Sequence, residues 1–375
     1  NGEIYNYKEL REELSSLGFQ FKTQGDAEVI PFLYEYYGLK FIDKLEGMFS
    51  ILIWDERRGE FYAFRDRFGI KPLHYVENDD YYLFSSEVKP LKEALGRLEI
   101  DSQAVEEYFS YGFTLSRSLF KGLKKVQNSH YIKIDQQGKL NEYRYWDLKQ
   151  EGQSWSHDGL IESFDQGLKL HLRSDVKVGM FLSGGYDSGL IAARLSEMDQ
   201  KVTAYTVKFK EAPLDESQVA AKIAKNLGIE HKIFEVTFDD LFGFTPQILW
   251  HCDEPLADSG IFPNYYLSKM ARGEDCKVIL VGTGGDEVFA GYGYHVRSAL
   301  ENKVKPFEKA LLPLLKYLPL PQGTKRKLMR TCSYQLDPIG HYLGHTQVFH
   351  DLRFLKQYGL ETKKGQLWRC PLIII

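Results

Sequence analysis

The sequence predicts two domains of different fold class, an α+β domain followed by an α/β domain with a parallel sheet. In the first 95 residues, two helical segments precede a run of short strands, whereas strands and helices alternate after residue 160. Two glycine-rich turns directly follow strands of the second region. At 375 residues the chain also exceeds one typical core, which independently favours two domains.

The N-terminal elements follow from hydrophobic periodicity. Leucines recur on one face of a helix predicted at residues 5–17, and a second helix is predicted at residues 27–37. Short segments rich in β-branched and aromatic residues predict strands at residues 48–55, 60–65, 73–76 and 81–85. Turn residues at 135–139 predict a hairpin turn.

The C-terminal elements alternate between the two types. Strands are predicted at residues 176–182, 202–209, 231–236 and 277–281. Helices are predicted at residues 189–198, 216–227, 238–252 and 262–272, with further helices at 306–318 and 341–358. This order is typical of crossover helices on a parallel sheet. Residues 150–158 predict a linker, so the domains are placed at 1–150 and 151–375.

The segment VKVGMFLSGGYDSGL, residues 176–190, carries the strongest chemical signal. Its glycines allow close backbone approach to a ligand, and the following helix start favours phosphate. Ser183 and Ser188 add hydroxyl donors, and Asp187 adds a carboxylate suited to Mg²⁺. The lysine of the common phosphate loop is absent. SGGYDS instead fits the SGGxDS signature of ATP pyrophosphatases, with an ordinary strand-to-helix turn as the alternative.

A second glycine-rich loop, VGTGGDEVFAGY, spans residues 281–292 and carries Asp286 and Glu287. We expect it to face SGGYDS across one crevice, with carboxylates on both sides of a metal-bound triphosphate. By itself this loop fits a capped turn with solvated acids equally well. In the acidic segment at residues 252–263, Asp253, Glu254, Asp258 and Ser259 either bind a polar substrate or metal, or cap the next helix.

Composition narrows the class of protein. A hydrophobic content of 43% indicates a packed globular chain, and a formal net charge of −4 argues against binding nucleic acid through bulk electrostatics. No apolar run is long enough to span a membrane, and no signal peptide opens the chain. The spacing of Cys252, Cys276, Cys332 and Cys370 favours free thiols in a reducing compartment. We therefore expect a cytoplasmic enzyme without a nucleic-acid or membrane partner.

Several blocks in order resemble one family. They are NGEIYNYKELREEL (1–14), GDAEVI (25–30), LEGMFSILIWD (45–55), RDRFGIKPL (65–73), SSEVKPL (85–91), SGGYDS (183–188), DEPLADS (253–259) and GTGGDEVFAGY (282–292). Together they resemble the class II glutamine-dependent asparagine synthetases of the AsnB type. The resemblance implies an Ntn-type αββα sandwich followed by a Rossmann-like ATP pyrophosphatase domain, both incomplete.

The resemblance also implies the reaction. The N-terminal domain would release ammonia from L-glutamine, and the C-terminal domain would use MgATP to adenylate the β-carboxylate of L-aspartate. Ammonia would then displace AMP to give asparagine. ATP and Mg²⁺ are the implied cofactors, and a homodimer is left open.

Site residues follow from the matched motifs. Asn1 and Gly2 would form the oxyanion hole for glutamine, and Glu3 and Asp26 would bind its α-amino group. The residues implied for ATP and pyrophosphate are Leu182, Ser183, Gly184, Gly185, Asp187, Ser188, Val207, Gly282 and Thr283. Asp187 and Asp286 would hold Mg²⁺. The implied catalytic residues are Asn1, Gly2, Asp187 and Asp286.

Three departures from the family pattern leave alternatives open. The family's nucleophile is an N-terminal cysteine ahead of the NGE block, whereas the first cysteine here is Cys252, so the chain as printed is expected not to hydrolyse glutamine. Thr283 stands where some members carry glutamate, and the downstream RxPFLD block has no match. The chain opens on Asn1 and ends in an apolar stub, which predicts a fragment. An amidotransferase for a polysaccharide or β-lactam carboxylate, and a non-catalytic paralogue, are the alternatives.

Overall fold

The computed structural model describes residues 1–114, 117–149, 156–210 and 215–292. The helices predicted at 306–318 and 341–358, together with Cys332 and Cys370, lie outside these residues. The chain divides into two compact units. Unit 1 combines residues 1–101 with 115–176, and unit 2 combines residues 102–114 with the described residues from 177 onward. The domain boundary after residue 150 stays a prediction.

Helices and strands occur in both units. In chain order, the helices of the described residues are α1 (Tyr7–Ser16), α2 (Val29–Tyr37), α3 (Phe41–Lys44), α4 (Val88–Leu95), α5 (Ser102–Tyr111), α6 (His157–His171), α7 (Tyr186–Glu197), α8 (Ser217–Leu227), α9 (Phe238–Gly243), α10 (Thr245–Cys252), α11 (Ile261–Gly273) and α12 (Gly285–Phe289). The strands are β1 (Gly2–Ile4), β2 (Gly47–Asp55), β3 (Glu60–Arg65), β4 (His74–Glu77), β5 (Tyr82–Ser85), β6 (Leu123–Lys125), β7 (His130–Ile134), β8 (Leu140–Arg144), β9 (Val178–Phe181), β10 (Thr203–Phe209), β11 (Glu230–Val236) and β12 (Val278–Leu280).

Unit 1 contains two antiparallel sheets, in the order β1-β2-β3-β7-β8 and β5-β4-β6. Three apolar clusters hold its layers together. Residues of α1 and α2 such as Leu14 and Leu33 pack with Phe64 of β3. Ala63 and Tyr75 join the two sheets, and a further cluster packs α4 against β4. These clusters connect α1 and α2 with β3, strands of the two sheets with each other, and α4 with β4.

Most of the predicted N-terminal elements are confirmed within a few residues. The helix predicted at 5–17 is α1, and that at 27–37 is α2 preceded by the 3₁₀ turn Asp26–Glu28. The turn at 135–139 joins β7 to β8, where Asp135 Oδ1 accepts the N–H groups of Gln137 and Lys139 at 3.0 and 2.9 Å. A side-chain acceptor at the first turn position is what lets this tight hairpin form.

Unit 2 contains a parallel sheet in the order β11-β10-β9-β12. β10 and β11 follow β9 on one side, whereas β12 returns to its other side, so the strand order reverses at β9. Ligands bind at such switch points, outside the carboxyl ends of the strands. Both glycine-rich loops begin at this place, after β9 and β12. The predicted alternation of strands and helices is confirmed.

One predicted helix is wrong as a single element. Residues 238–252 form α9 and α10, separated at Phe244. Pro246 has no N–H for the carbonyl of Phe242, and the Thr245 hydroxyl donates to that carbonyl instead at 2.6 Å. A capping box between Thr237 and Asp240 fixes the start of α9. The helical hydrogen-bond pattern therefore cannot continue through residue 246, and a new helix, α10, starts.

The linker predicted at residues 150–158 is only partly testable. Residues 150–155 lie outside the described part of the chain, but His157 and Asp158 begin α6, so the end of the predicted linker is helical. Ser156 caps this helix by accepting the N–H of Gly159 at 3.1 Å. Among the described residues, no helix combines the length and apolar character that a bilayer crossing requires.

Candidate functional site

The SGGYDS turn is braced by its own serines. Ser183 Oγ and Ser188 Oγ lie 2.9 Å apart. Ser188 Oγ accepts the N–H of Ser183 at 3.1 Å, and Ser183 Oγ accepts that of Gly185 at 3.1 Å. No side chain caps α7, whose first N–H groups have no partner in the helical ladder and suit an anion. These three contacts fix the shape of the turn.

The two glycine-rich loops meet at Asp187. A Cβ atom added to Gly285 would lie 2.6 Å from Asp187 Oδ2, and one added to Gly282 would lie 2.9 Å from Asp187 Cβ. Neither distance is possible for a real side chain, so only glycine fits at both positions in this arrangement. The predicted approach of the two loops is confirmed: Gly285 lies against the carboxylate of Asp187, and Gly282 lies against its Cβ and backbone.

Two carboxylates lie at helix starts in these loops. Asp187 is in the first turn of α7, and Asp286 is in the first turn of α12. The neighbouring Glu287 accepts a hydrogen bond from Tyr292 Oη at 2.8 Å. Within the described ranges, no group of three or more His, Cys, Asp and Glu side chains could hold a metal. Carboxylates are suitable ligands for Mg²⁺, which takes one or two of them and completes its shell with phosphate and water, so the magnesium role of Asp187 and Asp286 stays a prediction.

A cavity of about 400 Å³ opens beside the SGGYDS turn. Three residues implied for ATP line it, namely Leu182, Ser183 and Val207. The sequence reading missed other lining residues, which lie mostly on β9, β10, α11 and the start of α8: Phe181, Tyr205, Thr206, Phe209, Asp215, Glu216, Pro263, Asn264 and Leu267. The rule that ligands bind at the carboxyl ends of parallel strands could have pointed to those on β9 and β10.

The NGE block forms the edge strand β1. Gly2 pairs with Phe49, and the backbones of Asn1 and Ser50 exchange hydrogen bonds at 2.8 and 3.0 Å. The φ angle of Gly2 is +131°, and a Cβ there would lie 2.0 Å from the carbonyl oxygen of Met48. Both conformation and space therefore require glycine at this position.

Glu3 and Asp26 are the residues implied for the glutamine α-amino group. Burial, followed by the negative charges of Asp26 and Asp175, raises the pKa of Glu3 above its usual value, and Lys71 opposes the shift. Asp26 Oδ2 accepts the N–H of Ile4 at 2.8 Å, which ties the 3₁₀ turn to β1. The structure therefore brings these two carboxylates together, as a cationic amine would require.

The RDRFGIKPL block is organised by a buried carboxylate that the sequence reading did not single out. Asp66 is 1% exposed and accepts four backbone N–H groups, from Phe49, Phe68, Ile70 and Lys71, at 2.9 to 3.2 Å. The first of these bonds fastens the loop to β2. Three side-chain bonds from Arg65 to backbone carbonyls close the loop from the other side. Only tertiary contacts reveal this role.

Hydrogen bonds within unit 2 hold the acidic segment 252–263. Asp258 Oδ1 accepts the N–H of Gly260 at 2.8 Å in the turn before α11, but Gly260 is the N-cap and no side chain caps this helix, so the predicted capping role is wrong. Glu254 Oε2 instead accepts the Thr114 hydroxyl at 3.1 Å, and the N–H of Ala257 donates to the carbonyl of Gly112 at 2.7 Å. Residues 112–114 of unit 2 thus hold this segment in place.

The chain matches two protein-family models, one after the other. Residues 1–146 match the model of the glutamine amidotransferase domain family, and residues 159–343 match that of the asparagine synthase family. The chain is 35% identical over 373 residues to "Asparagine synthetase [glutamine-hydrolyzing] 1" of Bacillus subtilis (strain 168), covering 96% of this chain and 58% of that protein.

Two further relatives extend this picture. A "Putative asparagine synthetase [glutamine-hydrolyzing]" of Mycobacterium tuberculosis (strain ATCC 25618 / H37Rv) is 32% identical over 370 residues, covering 93% of this chain and 56% of that protein. "Amidase chyE" of Penicillium rubens is 30% identical over 323 residues, covering 78% and 46%. The chain therefore spans little more than half the length of the curated relatives it matches most fully.

The fold and the matched families define a glutamine amidotransferase domain followed by an ATP pyrophosphatase-type synthase domain. The second domain supplies a parallel sheet with two glycine loops at its switch point. The chain belongs to the family of glutamine-hydrolysing asparagine synthetases.

Proposed function

We propose that the protein catalyses the ATP-dependent amidation of L-aspartate to L-asparagine, with glutamine or ammonia as nitrogen source. The observation that carries this proposal is the contact between the two glycine-rich loops at Asp187. An acyl-adenylate chemistry needs a site for pyrophosphate beside a site for the α-phosphate, and in this proposal the two loops at the switch point of the sheet would form them.

The reaction has two steps. An oxygen of the aspartate β-carboxylate attacks the α-phosphorus of ATP, and the bond to the β-phosphate oxygen breaks to release pyrophosphate. Ammonia then attacks the carbonyl carbon of the β-aspartyl-AMP, loses a proton, and expels AMP with the former carboxylate oxygen.

The residues of unit 2 would bind and orient ATP for this reaction. In the proposal, the N–H groups at the start of α7 and the hydroxyls of Ser183 and Ser188 hold the pyrophosphate, while Val207 lines the nucleoside cavity. Gly184, Gly282 and Thr283 keep the loop backbones close to the phosphates. Asp187 and Asp286 would hold Mg²⁺, which supplies charge neutralisation at the phosphates when bound.

The residues of unit 1 would bind glutamine at β1. The Asn1 side-chain amide and the Gly2 N–H would stabilise the oxyanion formed at the glutamine carbonyl. Glu3 and Asp26 would hold its α-amino group, a role that their proximity supports. The stacking of helix, sheet, sheet and helix through three apolar clusters supports an αββα sandwich as the frame of this site.

A second candidate is the amidation of another carboxylate. It is favoured by the relative "Amidase chyE", which is named as an amidase and not as an asparagine synthetase. ATP–pyrophosphate exchange with a panel of acids distinguishes the candidates. We expect exchange that depends on L-aspartate, and its loss in Asp187→Ala. Exchange that requires a different acid would support the second candidate, and unchanged exchange in Asp187→Ala would overturn the role of Asp187.

A further inference from the structure

Two side-chain hydrogen bonds connect β11 to the start of the SGGYDS turn. Thr206 Oγ1 lies 2.5 Å from the carbonyl oxygen of Leu182 and 2.7 Å from His231 Nε2. Thr206 is 4% exposed and Leu182 is 2% exposed, so water does not compete for the bond between them, whereas the bond to His231 is part-buried. Leu182 is the residue directly before the turn, and both it and Thr206 line the nucleotide cavity.

The donors and acceptors of this chain of bonds can be assigned. A carbonyl oxygen only accepts, so the single proton of the Thr206 hydroxyl points to Leu182. The hydroxyl oxygen must then accept from His231, which places a proton on Nε2 of the imidazole. Burial lowers the pKa of His231, which favours the neutral ring. By donating to the Thr206 oxygen, His231 leaves the hydroxyl proton to the Leu182 carbonyl.

These bonds fix the orientation of the peptide between Leu182 and Ser183, which the hydrogen bonds of the sheet alone do not fix. The paired register of β9 and β10 ends at Phe181 and Tyr205, and the Leu182 N–H still donates to Tyr205 at 3.0 Å. The Leu182 carbonyl lies past the last paired residues of β9 and β10. The Thr206 hydroxyl donates to it in place of a backbone N–H of the neighbouring strand. On the other side of the same planar peptide, the Ser183 N–H donates to Ser188 Oγ.

We infer that His231 is a positioning residue for the nucleotide site, acting through Thr206 on the peptide that begins the SGGYDS turn. This inference rests on the proposed ATP site. The peptide between Leu182 and Ser183 is hydrogen-bonded at both its carbonyl oxygen and its N–H. Loss of one of these bonds lets the peptide rotate, and the rotation moves the N–H groups that would bind the phosphates. His231 itself need not touch the nucleotide.

Four variants of the full-length protein test this role. His231→Phe removes the ring N–H donor, and Thr206→Val removes the hydroxyl, both with little change in size. His231→Gln keeps an N–H donor at the same place, and Thr206→Ser keeps the hydroxyl. We expect the first pair to bind MgATP about tenfold more weakly, the size of one lost buried hydrogen bond. The second pair should stay within about threefold of the unchanged protein.

MgATP affinity is measured by calorimetry without an acceptor, and KM for ATP and kcat are measured by pyrophosphate exchange. A rise in KM with kcat nearly unchanged supports positioning. Equal weakening by His231→Phe and His231→Gln, or no weakening by Thr206→Val, would overturn it. Thr206→Val remains decisive if His231→Phe does not fold. If the protein without substitutions binds MgATP but shows no aspartate-dependent exchange, the proposed function is wrong. The MgATP affinities of the four variants still test the role of His231 in that case.

Discussion

The contact between Gly285 and Asp187 makes a sharp prediction. In Gly285→Ala, the new methyl group would lie 2.6 Å from Oδ2, 2.7 Å from Cγ and 2.9 Å from Oδ1 of Asp187. Since an ordinary contact begins at 3.4 Å, the carboxylate must retreat by about 0.8 Å. The displaced atoms are the end of one side chain rather than backbone, so the fold should absorb the change.

The expected effect is on activity and not on stability. Mg²⁺ requires near-ideal octahedral geometry, and a displacement of about 1 Å in a catalytic group costs roughly 100-fold in rate. We therefore expect kcat/KM for aspartate-dependent pyrophosphate exchange to fall about 100-fold, which corresponds to about 2.7 kcal/mol of barrier. The melting temperature should remain close to that of the unchanged protein.

Gly189→Ala is the matched control. It lies in α7 two residues after Asp187, and its added Cβ would meet only Ile223 Cδ1 at 3.8 Å, an ordinary contact. This variant should keep full exchange activity and gain a few tenths of a kcal/mol up to about 1 kcal/mol of helix stability. Exchange within about threefold of the unchanged protein in Gly285→Ala would refute the reasoning.

Three further predictions concern other parts of the molecule. Gly2→Ala should abolish glutamine-dependent but not ammonia-dependent synthesis in the full-length protein, whereas Gly18→Ala, at φ +95° with no atom within 4 Å, should lower only stability. Equal losses with both nitrogen sources would contradict this. Asp66→Asn places an amide NH₂ group against backbone N–H groups in either orientation of the side chain. We expect the free energy of unfolding, measured in urea, to fall by about 3 kcal/mol. A loss below about 1 kcal/mol would show that the carboxylate is dispensable. Because the pKa of His231 is lowered from 6.5, the unfolded chain binds the extra proton and stability falls as pH drops through that value. His231→Gln should lack this part of the loss of stability at low pH. The prediction is contradicted if the melting temperatures of both proteins fall equally between pH 8 and pH 5.

Where local patterns decide the structure, the sequence reading succeeds. The strand at residues 60–65 is matched by β3 at Glu60–Arg65, because its apolar run is bounded by turn residues on both sides. The meeting of the two glycine loops follows from a general rule about parallel sheets, and the Gly285–Asp187 contact confirms it.

Where tertiary contacts decide, the sequence reading fails. β1 has three residues and exists only because β2 pairs with it. The division of residues 238–252 into two helices depends on one missing N–H at Pro246 and was hidden by the continuous apolar pattern. The roles of Asp66 and His231 depend on partners far away in sequence, so no spacing could reveal them.

The transfer of oxygen from the acceptor to AMP tests the central claim most directly. L-aspartate labelled with ¹⁸O in its β-carboxylate is converted with MgATP and ammonia, and the phosphorus products are analysed by ³¹P NMR and mass spectrometry. Attack of the carboxylate on the α-phosphorus predicts one ¹⁸O atom in AMP and none in pyrophosphate. Label in inorganic phosphate with ADP as the product, or unlabelled AMP, would contradict an adenylate formed at this site.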